Sequence, residues 1–126
     1  MQTRVLSGLV LLLASMSGAA AQDAANGEQI FRRCRACHQI GATAKNAVGP
    51  QLNNIVNRHA GAVEGFNYST ANKEAGAKGL IWTEDNLLKY LSNPAAFMPK
   101  NKMAFAGLRN DEDRKDVIAY LKTFSK

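Results

Sequence analysis

The chain predicts an all-α protein. Three stretches place apolar residues at helical spacing behind residues suited to cap a helix. No run alternates apolar and polar residues as a half-buried strand would. The intervening segments are punctuated by glycine, proline and asparagine and read as loops.

Residues 1–21 read as a secretory signal that is cleaved. Arg4 supplies the positive start, residues 5–13 the apolar core, and Ala19-Ala20-Ala21 an A-x-A cleavage site before Gln22. A membrane anchor would need about 20 apolar residues, whereas this run is broken by Ser7, Gly8, Ser15, Ser17 and Gly18. Cleavage leaves 105 residues, one small domain over 22–126 with no later segment apolar enough to span a membrane. The export signal places that domain in the periplasm.

Asp23 is positioned to cap a first helix running from about Ala24 into Cys34, with Gly27, Ile30, Phe31 and Cys34 on one face. Glycine costs a helix about 1 kcal/mol against alanine, so Gly27 points to a second helix backbone crossing there. Residues 39–67 read as loop, with Gly49-Pro50 stopping any helix. Ser69 caps a short helix over 70–74, closed by Gly76. Thr83 caps another, whose apolar face is Leu87, Leu88, Tyr90 and Leu91 and whose end is Asn93-Pro94. Residues 94–107, which contain Met98 and Met103, read as an irregular loop. Asn110 caps a final helix with Asp111, Glu112 and Asp113 at its positive end. Its apolar stripe is Val117, Ile118, Tyr120, Leu121 and Phe124, and it is expected to cross the first helix at Gly27.

Cys34-Arg35-Ala36-Cys37-His38 carries the chemistry. Two thiols three residues apart share one face of a helical turn, so both can reach the vinyl groups of one porphyrin. His38 then offers a ring nitrogen to the iron of a covalently attached haem. A thioredoxin-like motif would need a βαβ pattern, which is missing. A structural zinc site needs four ligands, and the chain has only two Cys and two His, with Cys37 and His38 adjacent. A Cys34–Cys37 disulfide would close too small a loop to stabilise much.

The charge balance points to acidic partners. Without Arg4, fifteen Lys and Arg face ten Asp and Glu, a formal +5. In an exported protein that surplus suits an acidic protein surface better than nucleic acid. Function turns on the sixth position of the iron: a closed site suits electron transfer, an open one gas binding or peroxide chemistry. Met98, Met103, His59 and the lysines are the candidates. Met98 after Phe97 reads as core, while Met103 lies in a polar, lysine-flanked stretch where a hydrophobe needs a reason. From the residues alone, Arg58 and His59 read as solvated loop residues.

From about Gly27 onward the chain resembles a small soluble class I cytochrome c of the bacterial, mitochondrial-like kind. Besides the Cys-x-x-Cys-His motif, the resemblance rests on Gly49-Pro50-Gln51-Leu52, Gly65-Phe66-Asn67-Tyr68-Ser69, Ala71-Asn72-Lys73, Trp82 and Tyr90-Leu91-Ser92-Asn93-Pro94. It continues through Lys102-Met103-Ala104-Phe105-Ala106-Gly107 and Ile118-Ala119-Tyr120-Leu121. It implies one haem c in the core of a compact monohaem fold, held by thioethers to Cys34 and Cys37. His38 and Met103 would be the axial ligands, and Pro50 would accept the imidazole N–H. Arg58, Tyr68 and Trp82 would be propionate partners, Asn72 and Tyr90 the polar network behind the methionine, and Phe105 the ring shielding the haem edge.

The same resemblance implies a monomeric one-electron shuttle rather than an enzyme. Arg33, Lys45, Lys100, Lys102 and Arg109 would form a basic ring for docking on acidic redox partners. Those partners would be a quinol-oxidising bc-type complex, a terminal oxidase, a reaction centre or a dehydrogenase. Two departures stand out. Lys100-Asn101 replaces the family's usual Gly-Thr before Lys-Met, so Asn101 would have to take over a threonine's propionate bond. Asn57 stands where glycine is usual before Arg58, a mild change because asparagine tolerates a left-handed conformation.

Overall fold

The computed structural model describes residues 22–126. The predicted export signal at 1–21 lies outside the described residues. The first helix, α1 (Ala24–Phe31), begins as its cap dictates: the Asn26 N–H donates to Asp23 Oδ1 at 3.0 Å. It stops short of the cysteine motif. Beyond Phe31 the chain tightens, with Arg33 N–H donating to Ile30 O (3.1 Å) and Cys34 N–H to Phe31 O (2.8 Å).

The second helix, α2 (Thr70–Ala77), is capped by Ser69 but runs three residues past its predicted end. Gly76 does not terminate it. A Cβ at that position would fall on the Ala60 carbonyl oxygen, so this glycine permits a close backbone approach inside the helix. The left-handed residue after the helix is Gly79, at φ 92°. Next, α3 (Glu84–Ser92) starts at Thr83, whose Oγ1 accepts the Asn86 N–H at 3.1 Å.

A further turn, α4 (Pro94–Phe97), occupies a stretch expected to be irregular. Asn93 Oδ1 accepts the Ala96 N–H at 3.1 Å, and Pro94 sits where a missing N–H costs nothing. Four residues are too few to show a helical period, so this turn is legible only through its cap. Last, α5 (Asp111–Lys122) follows Asn110, whose Oδ1 accepts from Glu112 N–H (2.9 Å) and Asp113 N–H (3.2 Å). Among the described residues the only β-type pairing is one isolated bridge between His59 and Ile81. The architecture is all-α, as predicted.

The first and last helices cross at Gly27. A Cβ there would fall on the Asp116 carbonyl oxygen, with Tyr120 Cβ also closer than contact distance. Phe31 packs at a tilt against Tyr120 one turn along, ring centroids 5.3 Å apart. The Asp116 carboxylate then clasps the start of α1, accepting from Asp23 N–H (2.9 Å) and Asn26 Nδ2–H (2.8 Å). Phe31, Val117 and Ile118 are fully buried around this crossing.

Two outcomes follow from the crossing. Helix propensity alone would favour Gly27→Ala by about 1 kcal/mol. The clash is with main chain that cannot rotate away, so the variant loses a net of about 1–3 kcal/mol in denaturant unfolding. Hydrogen bonds from Asp23 and then Asn26 hold the Asp116 carboxyl below its ordinary 3.8. A lowered carboxyl pKa stabilises the fold above the unfolded value and loses that contribution as pH falls through the folded one. The stability gap between wild type and Asp116→Asn therefore closes as unfolding is measured from pH 7 to below 3.8.

Candidate haem-binding site

The turn that ends α1 builds one wall of a central cavity. Cys37 N–H (3.1 Å) and His38 N–H (2.9 Å) both donate to Cys34 O, so the two thiols and the imidazole are set by one carbonyl. Gly49 N–H donates to Cys37 O at 2.8 Å and ties this turn to the loop after it. Gly49 also lies against the imidazole, where a Cβ would overlap the His38 ring. That close approach is the reason for a glycine there, beyond the helix-stopping role read from the sequence.

His38 Nδ1 is 2.7 Å from Pro50 O. A carbonyl can only accept, so Nδ1 carries the proton and Nε2 keeps its lone pair. Burial lowers the His38 pKa below 6.5; the Arg58 charge lowers it further, against the Pro50 bond. The imidazole is thus neutral at pH 7, as a metal ligand must be. Cys34 and Cys37 form no disulfide with each other. Burial, reinforced by Cys37, pushes the Cys34 thiol up to about 11 against the pull of Arg33 and Arg35, so it stays protonated.

Met103 lines the same cavity. The Tyr90 hydroxyl donates towards its Sδ at 3.7 Å, and burial raises the Tyr90 pKa to about 12, which keeps that proton in place. The other sixth-position candidates separate cleanly. Met98 is buried in the core and borders a different surface cleft. His59 is exposed, between Arg58 and Ala60, whose main chains pair with Trp82 and Leu80. Of the lysines, Lys102 lines the cavity, exposed and with its Nζ donating to Asn67 O at 3.3 Å.

A short main-chain ladder carries Arg58 to the cavity. Asn57 N–H donates to Trp82 O and Trp82 N–H to Arg58 O, both at 2.8 Å. Asn57 takes the left-handed φ of 68° that its replacement of glycine required. Arg58 Nη1 donates to Gln51 O and Asn53 O, each at 3.1 Å, while its Nε is buried with no partner. Tyr68 accepts the Val63 N–H at 2.9 Å, leaving its own hydroxyl hydrogen to donate. Asn72 Oδ1 is likewise buried and unpartnered.

All eleven site residues expected from the sequence line this one cavity: Cys34, Cys37, His38, Pro50, Arg58, Tyr68, Asn72, Trp82, Tyr90, Met103 and Phe105. Arg33 and Lys102 of the expected basic ring reach its border as well. Asn101 does not act as a threonine would. Its Nδ2 donates to Pro94 O (3.1 Å) and Met98 O (2.8 Å), and its Oδ1 accepts the Met103 N–H (2.7 Å), so no donor remains for a propionate. Leu52, Ile55, Leu87, Leu108 and Leu121 complete an apolar lining contributed by four separate parts of the chain.

The donor set fits a haem: two thiols and a neutral imidazole at one wall, a thioether at another, and a leucine-rich interior. The unpartnered Arg58 Nε is what an anionic propionate would satisfy. Comparison with known proteins agrees. The cytochrome c family model matches residues 24–125. The chain is 48% identical over 122 residues to cytochrome c2 of Blastochloris viridis, covering 97% of this chain and 94% of that one. It is 52% identical over 101 residues to cytochrome c-550 of Ancylobacter novellus, covering 80% and 94%. Among solved structures, cytochrome c2 from Rhodospirillum centenum superposes with a TM-score of 0.79 at 45% identity, covering 82% of this chain and 99% of that one. Sequence, fold and donor set agree that this chain belongs to the cytochrome c family, electron carriers with one covalently bound haem c.

Proposed function

We propose that the protein is a soluble periplasmic one-electron carrier, exported by a cleaved signal at residues 1–21 and folded as one domain over 22–126. The observation that carries this reading is the convergence of Cys34, Cys37, His38 and Met103 on one apolar cavity. Bound haem supplies a single iron that alternates between the ferric and ferrous states. The chain's own residues do the rest. Cys34 and Cys37 would anchor the group by thioethers, His38 would offer Nε2 with its ring held by Pro50, and Met103 would offer Sδ. With His38 and Met103 both holding the iron, no position would be left for a substrate, which favours transfer over catalysis.

Arg58, Tyr68 and Trp82 would hold the propionates, and Asn72 and Tyr90 would form the polar group behind the methionine. Phe105, half-buried at the cavity, would cover the haem edge. Arg33, Lys45, Lys100, Lys102 and Arg109 are all exposed and supply the basic docking face. Acidic surfaces of a quinol-oxidising bc-type complex, a terminal oxidase, a reaction centre or a dehydrogenase fit that charge. Contacts of this kind form fast and are screened by salt.

The test is the optical spectrum of matured ferric protein beside Met103→Ala and Met98→Ala. The weak long-wavelength sulfur-to-iron band is expected in wild type and Met98→Ala and absent in Met103→Ala. A wild type that lacks the band and binds imidazole or carbon monoxide readily would instead be a ligand-binding haem protein. A second outcome concerns Tyr90. Its hydroxyl withdraws electron density from the sulfur and so disfavours the ferric state. Tyr90→Phe should lower the midpoint potential in a redox titration. The scale is up to about 40 mV, from a hydrogen bond worth about 1 kcal/mol and about 59 mV per tenfold for one electron.

A further inference from the structure

The segment between α4 and Met103 has little regular structure, yet its end must hold a sulfur in one place. Pro94 and Met98 are both buried and form a rigid base at the two ends of α4. Met98 N–H donates to Pro94 O at 2.9 Å, which fixes the two carbonyls relative to each other. From Met98 the chain leaves the core and reverses at Lys100, which sits at φ 65° in the left-handed region that side chains disfavour. That reversal turns the Asn101 side chain back towards α4.

We propose that Asn101 is a positioning residue for Met103, fastening the methionine's backbone to the buried base of α4. The three contacts of its amide form a continuous bridge. Both Nδ2 hydrogens are engaged, one on Pro94 O and one on Met98 O, and Oδ1 takes the Met103 N–H. The network also fixes the amide's orientation, because a flipped group would set its oxygen against two carbonyls. Asn101 N–H adds a 3.2 Å bond to Met98 O. Among the described residues, Asn101 Oδ1 is the partner recorded for the Met103 N–H. The bridge compensates for a lysine in a left-handed turn, and it replaces the propionate contact expected of a threonine at this position.

The inference rests on Met103 being the sixth ligand. It is tested on matured ferric protein by titrating imidazole into wild type, Asn101→Ala and Asn101→Leu while following the sulfur-to-iron band. Leucine keeps asparagine's bulk without its polar atoms. If the amide fastens Met103, both variants bind imidazole about tenfold more tightly than wild type, the scale of three lost hydrogen bonds each at the weak end of their range. Both also show a weakened band in the absence of imidazole. Affinities within twofold of wild type in both variants overturn the proposal. So does a change in Asn101→Ala that Asn101→Leu abolishes, since bulk alone would then explain it. A wild type without the band overturns the ligand assignment itself, and that failure is visible before any Asn101 variant is compared.

Discussion

The close contact between Gly27 and the Asp116 main chain sets the position of everything else in this protein. Bringing two helix backbones so near fixes α1 against α5, and the tightened turn after Phe31 leads from that fixed helix into Cys34. The Asp116 carboxylate reinforces the geometry from the other side by binding the first turn of α1. Val117 and Leu121, on the same helix as Asp116, then line the cavity that the cysteines border. One crossing therefore both closes the chain and opens its site. A chain of this size can enclose only a limited core, so an apolar cofactor forms part of the interior that stabilises it.

Burial also sets the chemical state of the site. Before haem is attached, desolvation disfavours charge on His38, Cys34 and Tyr90 alike, leaving a neutral imidazole, a protonated thiol and a protonated phenol. Arg58 is the exception. It remains a guanidinium in spite of burial, held by two main-chain carbonyls, with one nitrogen unpartnered in a cavity-lining residue. A cation in that setting disfavours a second positive charge on His38 and attracts an anion. The same residue thus helps keep the histidine available to a metal and supplies a partner for a carboxylate.

The methionine side of the site is organised differently from the histidine side. His38 sits on a hydrogen-bonded turn whose partners lie within a few residues or in the adjacent 49–52 loop. Met103 sits on a connection without regular structure, braced at both ends. Asn101 ties it back to α4, while Gly107, at φ 115°, lets the chain pass close to the Ser92 carbonyl, and Leu108 N–H bonds Leu91 O at 2.7 Å. Side-chain amides and glycines do here what a helix ladder does elsewhere.

Much of this was legible in the amino-acid sequence for local reasons. Asp23, Ser69, Thr83 and Asn110 each cap the helix that follows, because capping depends on a few neighbouring residues. The Cys-x-x-Cys-His spacing was equally readable, while the bond from His38 to Pro50 was expected only from the family resemblance. What only the tertiary structure decided depends on how the chain folds back against itself. Gly76 looked like a helix terminus and proved to be a passing place for the Ala60 carbonyl. Met98 and Met103 already differed in their sequence surroundings, and the fold turns one into the core and the other into the cavity. Asn101 passed for a threonine's substitute until the reversal at Lys100 aimed its amide at Pro94, Met98 and Met103. Caps and motifs follow from local hydrogen bonding, which the order of residues determines. The role of Gly76 follows from the distant Ala60 backbone that passes it, and that of Asn101 from the reversal at Lys100 that folds its amide back onto Pro94 and Met98; packing determines both.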